Sequence, residues 1–170
     1  MGKAKATILL YHQIGKHPKE QTNLDCFCNV GQFEEQLKFL KESDVDLISL
    51  RSLVNIMKVK EMFEKDYVVL TFDDGCERFQ TVTLPILQKY DIPATIYPVS
   101  GDLGNIASWP KVMNPDLRIL SEENLKKIAE SGIDYYRWHL AHSDQDFQDG
   151  TEGDGPYVHD FFSKTGDKIG

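Results

Sequence analysis

The sequence predicts an α/β fold in which parallel strands form a sheet or a barrel. Short segments rich in β-branched and aromatic residues alternate along the chain with longer segments whose apolar residues recur at helical spacing. One of the short segments, residues 67–72, is almost continuously apolar, which is typical of a strand covered on both faces. Strands that alternate with helices run parallel, because each helix returns the chain to the same end of the sheet.

Four strands and four helices are predicted in order. The strands occupy residues 7–11, 45–50, 67–72 and 92–97, and a largely polar loop follows the first of them at residues 13–23. The helices occupy residues 32–42, 50–57, 79–90 and 122–131. Pro85 kinks or begins the third helix. Ser121 is a good N-cap for the fourth helix, and Gly132 closes it.

The composition is that of a soluble globular domain. The chain has 170 residues, 41% of them hydrophobic and 27% charged, which suits one domain with a sizeable core. Nineteen basic and twenty-seven acidic residues give a formal net charge of −8, so neither nucleic acid nor an anionic membrane is expected as a partner. The apolar run at residues 8–11 is too short for a signal-peptide core or a membrane span, and a cytoplasmic chain is expected.

Two adjacent carboxylates, Asp73 and Asp74, follow the most apolar strand, and Gly75 comes directly after them. The carboxyl ends of parallel strands are where α/β folds build their active sites. In such a place one carboxylate can hold a metal ion while its neighbour takes a proton from water. A solvated Asp-Asp-Gly turn is the alternative interpretation of the same three residues.

The three cysteines, Cys26, Cys28 and Cys76, are too few and too irregular for a disulfide framework. No second pair of ligands lies at zinc-ribbon spacing from Cys26 and Cys28, so we expect these two side chains simply to alternate in a short strand or loop. Cys76 lies at the mouth of the predicted site. It is expected to be a small wall residue rather than a nucleophile, because nearby carboxylates raise the pKa of a thiol.

Five motifs in sequence order resemble those of one protein family. They are residues 9–15 (Leu-Leu-Tyr-His-Gln-Ile-Gly), residues 33–40 with Ile-Ser-Leu at 48–50, residues 69–75 (Val-Leu-Thr-Phe-Asp-Asp-Gly), Leu-Pro-Ile-Leu at 84–87 and Tyr-Asp-Ile-Pro-Ala-Thr at 90–95. Over residues 7–133 the chain resembles the polysaccharide deacetylases, the NodB-homology group also called carbohydrate esterase family four. The resemblance implies a distorted (β/α) barrel, a divalent metal ion, with zinc as the expected ion, and removal of an N- or O-acetyl group from a carbohydrate substrate.

The resemblance also assigns roles to the residues around the acidic pair. It implies that Asp73 is the general base and Asp74 a metal ligand. His12, at the end of the first strand, is expected to point into the same mouth and to belong to the substrate pocket with Gly75 and Cys76. The backbone N–H groups of Gly75 and Cys76 are expected to stabilise the oxyanion that forms when water attacks the acetyl carbonyl.

The remaining metal ligands of the family are two histidines in a His-Ser/Thr-x-x-His motif. An ungapped count from the preceding strand places His142 at the second histidine and Trp138 at the first. His139 lies one position later, so either the strand bulges by one residue and His139 and His142 complete the site, or the site has lost a ligand. Asp146 together with His142, or Asp144 in place of an imidazole, are two further patterns.

Other departures from the family leave the function open between classes. Cys76, Glu77 and Arg78 stand where the family has an aromatic residue and a further Asp, and the later Arg-Pro and Leu-x-His motifs have no convincing counterpart. The chain is therefore predicted to be a metal-dependent deacetylase or, alternatively, a truncated or inactive deacetylase-like module that binds sugar or a partner. A magnesium-dependent phosphotransfer site is a third possibility, but the Gly-rich phosphate loop is missing.

The end of the chain changes in composition. Residues 132–170 contain four aliphatic side chains against seven Asp and six Gly, too little apolar surface for further buried strands. We therefore expect a NodB-like domain at residues 1–146 with its core at 7–133, an irregular acidic and Gly-rich tail at 147–170, and a barrel that is incomplete.

Overall fold

A computed structural model describes residues 4–16, 26–59, 62–109 and 116–137, together with a two-residue strand at 160–161. Its strands are β1 Ala6–Tyr11, β2 Gln13–Gly15, β3 Phe27–Asn29, β4 Asp46–Leu47, β5 Tyr67–Asp74, β6 Ala94–Pro98, β7 Asp134–Arg137 and β8 Asp160–Phe161. Its α-helices are α1 Val30–Glu42, α2 Leu50–Val59, α3 Leu84–Lys89 and α4 Glu122–Glu130. A π-helical segment, Phe79–Thr83, leads into α3, and a 3₁₀ turn, Ser100–Asp102, follows β6.

The main sheet has the order β1-β5-β6-β7-β8. Strand β5 runs parallel to β1 along one edge, and its other edge is shared by β4 at the start and β6 at the end. Strand β7 is parallel to β6, and β8 is antiparallel to β7. The predicted α/β class and its parallel sheet are confirmed. The carboxyl ends of β1, β5, β6 and β7 consequently meet at one edge of the sheet.

The two faces of the sheet differ in chemistry. Side chains alternate between faces along a strand, and one set packs under helices in a single apolar cluster that includes Val68, Leu70 and Phe72 from β5. The helices contribute fully buried residues to the same cluster: Phe33, Leu37, Leu87, Leu125 and Ile128. We call this the helix-covered face. The opposite set, which we call the polar face, carries Thr71, Asp73, Thr95, Tyr97, Asp134 and Tyr136.

Three predicted elements differ from the structure. Residues 13–15, predicted as the start of a loop, form strand β2, because Ile14 is 1% exposed in the core and pairs with Cys28 of β3. The predicted strand at 45–50 has only two strand residues, and α2 begins at Leu50. The predicted helix at 79–90 is divided, with Pro85 in the first turn of α3, where its missing N–H has no helical partner to lose.

The tail predicted at residues 147–170 contains one described element, β8, which is a paired strand rather than irregular chain. The other tail residues lie outside the described part, and the division into domain and tail stays a prediction. Among the described residues no helix combines the length and the apolar character needed to cross a bilayer. The predicted cytoplasmic location is not tested by that finding and also stays a prediction.

Aromatic rings tie α1 to the sheet on the helix-covered face. Phe33 of α1 packs edge-on against Tyr11 of β1 and Phe72 of β5, with ring centroids 5.2 Å and 6.0 Å apart. Tyr11 and Phe72 stack on each other at 5.3 Å, and Phe79 closes the group at 5.0 Å from Phe72. This aromatic cluster fixes the two strand ends that carry the candidate site residues.

We predict that Phe33→Ala lowers the free energy of unfolding by about 3–5 kcal/mol, because it leaves a cavity among three rings. Phe39→Ala on the same helix is the matched control: this side chain is 68% exposed, so the change should stay within about 0.5 kcal/mol. Urea denaturation followed by circular dichroism measures both. Equal effects of the two substitutions would contradict the described packing of α1.

Candidate active site

The acidic pair occupies the last two positions of β5, where the strand leaves its regular geometry. In a regular strand Asp73 and Asp74 would project from opposite faces. Asp74 instead has a φ of 69°, in the left-handed region, and Gly75 follows at 68°. This turn interrupts the alternation, and the carboxylates of Asp73 and Asp74 both lie within electrostatic reach of one imidazole, that of His12.

Gly75 is required by its surroundings as well as by its φ. A Cβ built on it would lie 2.5 Å from Cβ and 2.7 Å from Cα of Pro98, the β6 residue paired with Asp74. Its carbonyl oxygen accepts a hydrogen bond from the Leu120 N–H at 2.8 Å. Its own N–H donates to the Asp73 carbonyl oxygen at 2.9 Å, and the expectation that the N–H groups of Gly75 and Cys76 stabilise an oxyanion stays a prediction.

His12 follows directly after β1 at the level of the acidic pair. The last paired residues of β1 and β5 are Tyr11 and Phe72, so the next residues, His12 and Asp73, lie side by side where β1 ends. The charge of His12 lowers the pKa of both Asp73 and Asp74, although burial of each carboxyl outweighs this effect. The structure therefore brings His12 to the predicted mouth, while its contact with a substrate stays a prediction.

The electrostatics of the acidic pair suit a cation. Burial is the main cause that raises the pKa of Asp73 and of Asp74, and the Asp74 charge raises the pKa of Asp73 further. Across the described residues, neither side chain is found in a hydrogen bond or an ion pair with a Lys or Arg. Two half-buried carboxylates without such a counter-charge are stabilised by a bound divalent ion, so the donor set fits the metal that the resemblance implies.

The rest of the predicted ligand set cannot be placed beside Asp74. His139 and His142 lie outside the described residues, as do Trp138, Asp144 and Asp146. Among the described residues there is no group of three or more His, Cys, Asp or Glu side chains that could hold a metal ion. A ligand set of Asp74, His139 and His142 therefore stays a prediction.

Cys76 begins a small second core next to the site. Its side chain is 2% exposed and packs with Ala107, Leu117 and Ile119. Burial raises the pKa of the Cys76 thiol to about 11, and the Asp74 charge adds to this effect. A thiol with that pKa is protonated at neutral pH, which agrees with a wall residue and not with a nucleophile.

The sequence analysis missed two aromatic residues on the polar face. Tyr97 of β6 is the direct register partner of Asp73 and lies on the same face of the sheet. Tyr136 of β7 stands beside it, with ring centroids 5.7 Å apart at an interplanar angle of 32°. Tyr97 could have been found from the sequence, because it ends the predicted strand 92–97. That position corresponds to the position of Asp73 on the preceding strand.

Comparison with known proteins identifies the family to which the chain belongs. The family model for polysaccharide deacetylases matches residues 60–148, just over half of the chain. The chain belongs to the polysaccharide deacetylase family. The matched segment includes Asp73, Asp74 and Gly75 as well as the predicted ligands His139 and His142.

Curated relatives of this chain include the poly-beta-1,6-N-acetyl-D-glucosamine N-deacetylases of two staphylococci. The protein of Staphylococcus aureus (strain MSSA476) is 33% identical over 109 residues, which are 64% of this chain and 35% of that protein. The protein of Staphylococcus epidermidis is 28% identical over 102 residues, 60% of this chain and 33% of that protein. The chain thus spans about a third of the length of these relatives.

Solved structures of deacetylases share the fold of this chain. The Streptococcus pyogenes deacetylase PplD, in complex with acetate, is 27% identical with a TM-score of 0.64, covering 81% of this chain and 57% of that one. IcaB from Ammonifex degensii is 20% identical with a TM-score of 0.67, covering 81% and 53% respectively. The predicted architecture, a (β/α) barrel of the NodB type, is the fold of these neighbours.

We predict that Gly75→Ala destabilises the chain more than Gly104→Ala does. Both glycines have a left-handed φ, 68° and 75°, and an alanine there costs about 1–2 kcal/mol. At Gly104 the nearest atom to an added Cβ is 3.7 Å away, whereas at Gly75 the added Cβ also collides with Pro98. Equilibrium denaturation measures the free energy of unfolding of both variants, and the difference between their losses gives the cost of the collision with Pro98. Equal losses would show that the collision does not occur.

A second prediction concerns Asp74 in the metal-free chain, after treatment with a chelator. Because burial raises the pKa of Asp74 above its ordinary value of 3.8, its contribution to stability is present below that value and is lost as the pH rises through the raised pKa. Asp74→Asn should therefore increase the free energy of unfolding at about pH 7, and this gain should shrink towards about pH 3. The exposed Asp44→Asn is the control and should show no such difference.

Proposed function

We propose that the chain carries the catalytic centre of a metal-dependent hydrolase that removes acetyl groups from N-acetylglucosamine units of a polysaccharide. The observation that carries the proposal is the meeting of Asp73, Asp74 and His12 at the carboxyl ends of two paired parallel strands. The staphylococcal relatives are N-deacetylases, which supports an amide as the bond that is cleaved. Family membership gives no support to the phosphotransfer alternative.

In this proposal Asp74 holds a divalent metal ion, with zinc as the expected ion and His139 and His142 as its other ligands. When bound, the ion supplies polarisation of the acetyl carbonyl and acidification of the attacking water. Asp73 takes the proton of that water as it attacks the carbonyl carbon. The C–N bond then breaks, the proton held by Asp73 passes to the sugar nitrogen to give a free amine, and acetate leaves.

The environment of Asp73 supports its role as the base. A general base works best when its pKa lies close to the operating pH. Burial and the adjacent Asp74 charge both raise the pKa of Asp73 in that direction, while the charge of His12 opposes this increase.

One observation favours a second candidate function, a sugar-binding module without catalysis. Trp138 stands where an ungapped count expects the first histidine ligand, and a site that has lost this ligand holds its metal ion weakly. Such a module would keep the acidic pair and the polar face but would not cleave the acetyl group. Metal content separates the two candidates directly.

We predict that the chain, loaded with zinc and dialysed, retains about one ion per molecule, as expected for a site with three protein ligands. Asp74→Asn should remove the metal ion and the activity together. Asp73→Asn should keep the ion and lower kcat by about 10²- to 10⁴-fold, since it removes only the proton acceptor. Emission spectroscopy counts the metal, and release of acetate from a β-1,6-linked N-acetylglucosamine oligomer reports the activity.

Asp44→Asn, an exposed carboxylate on the loop before β4, is the matched control and should change neither readout. A wild-type chain that binds no zinc at micromolar concentration would exclude the catalytic proposal and leave the sugar-binding module. If Asp73→Asn lost the metal ion as fully as Asp74→Asn does, the division of roles between the two carboxylates would be wrong.

A further inference from the structure

Arg51, near the start of α2, is joined to the polar face of β7. Its guanidinium Nη2 donates a hydrogen bond to Asp134 Oδ1 at 3.0 Å, and the Asp134 side chain is only 8% exposed. Arg51 also forms a side-chain hydrogen bond with Tyr136, which lies two residues further along the same face. A planar guanidinium that binds two partners fixes both of their directions, which the flexible ammonium group of a lysine does less well.

Tyr136 in turn contacts the ring of Tyr97. Their rings lie 5.7 Å apart in a tilted arrangement, and Tyr136 is 7% exposed whereas Tyr97 is partly open to solvent. Tyr97 is in turn the register partner of Asp73. A continuous row of contacts therefore runs from Arg51, through Asp134 and Tyr136, to an accessible phenol beside the predicted general base.

The chemistry of Tyr97 suits a sugar. A tyrosine ring offers a flat apolar surface to the C–H groups of a pyranose, and its hydroxyl donates to or accepts from sugar oxygens. Burial raises the pKa of Tyr97 to about 12, with smaller contributions from the charges of Tyr136 and Asp73, so the phenol keeps its proton. Across the described residues, the Tyr97 hydroxyl has no hydrogen-bond partner, so it is available to a ligand.

We propose that Tyr97 contacts the sugar residue whose acetyl group is removed, and that Arg51, acting through Asp134 and Tyr136, is the positioning residue that holds the Tyr97 ring in place. This inference rests on the proposed function, because it places the reacting sugar between Tyr97 and Asp73. It assigns a substrate-contacting role to β6 and a supporting role to α2 and β7. A partly buried ion pair such as Arg51–Asp134 contributes little net stability by itself, but it fixes the direction of its neighbours.

The test uses the full chain and a β-1,6-linked N-acetylglucosamine tetramer as the probe. Its dissociation constant is measured by calorimetry with and without zinc, and kcat and KM are measured by acetate release. Tyr97→Phe removes only the hydroxyl and should weaken binding by roughly threefold to tenfold. Tyr97→Leu also removes the ring and should weaken binding by about tenfold or more. Both variants should keep the metal content of the wild type.

The positioning role is tested with Arg51→Gln and Tyr136→Phe. Each should raise KM and the dissociation constant with kcat within about twofold of the wild type, because uniform binding is lost and the base is untouched. A purely structural role would lower the melting temperature and leave the affinity of the folded chain unchanged. Tyr136→Phe keeps the ring and serves if Arg51→Gln does not fold.

Tyr90→Phe is the matched control: its hydroxyl donates to Glu34 Oε1 at 2.7 Å, away from the polar face, and its loss should not affect tetramer binding. Unchanged affinity in both Tyr97 variants, or a wild-type chain that binds no tetramer, would overturn the inference. If the chain bound the tetramer but no zinc, the proposed catalytic function would be refuted. The role of Tyr97 would still be tested, because the affinities of the Tyr97 variants are measured without turnover.

Discussion

Backbone hydrogen bonds between β5 and two of its parallel neighbours, β1 and β6, set the positions of His12, Asp73 and Tyr97 along the strand direction. The register pairs Tyr11 with Phe72 and Asp73 with Tyr97, so His12, Asp73 and Tyr97 come from three strands to one level. A shift of one residue in either pairing would send the corresponding side chain to the helix-covered face. The apolar side chains of β5 under α1, α3 and α4 prevent such a shift, because their burial depends on the same register.

The turn at the end of β5 adds what the register alone cannot provide. With regular pairing, only the Asp73 carboxylate would lie on the polar face. The left-handed φ of Asp74 and of Gly75 places the Asp74 carboxylate near His12 as well. The close approach of Gly75 to Pro98 ties this turn to β6. The geometry of the acidic pair is thus held by the backbone of two strands, which suits a site whose two carboxylates have different roles.

Much of this arrangement can be predicted from the sequence. The apolar run before Asp73 identifies the central strand, and the alternation of strands and helices predicts parallel pairing, which places the acidic pair at an active-site edge. The burial of Cys76 follows from its position after that strand. These predictions succeed because hydrophobic periodicity and chain direction are local properties of the sequence.

Other features depend on distant contacts and are not readable locally. Strand β2 forms because Ile14 reaches the core and pairs with β3, although its neighbours are polar and resemble a loop. The use of the Gly75 N–H by Asp73 depends on φ values that no residue pattern specifies. Tyr97 and Tyr136 were missed because their relation to Asp73 and Arg51 is a matter of register and of contact between separate elements.

The division of the sheet into a helix-covered face and a polar face also bears on how this scaffold can be diversified. Asp73 of β5 and Tyr97 of β6 project away from the apolar cluster, which the even-numbered residues of both strands enter, and both are partly exposed. New side chains at these two positions would alter the recognition chemistry without requiring the apolar cluster to be repacked. A protein built in this way can acquire new substrates by exchanging a few residues on one surface, while the other surface preserves the fold.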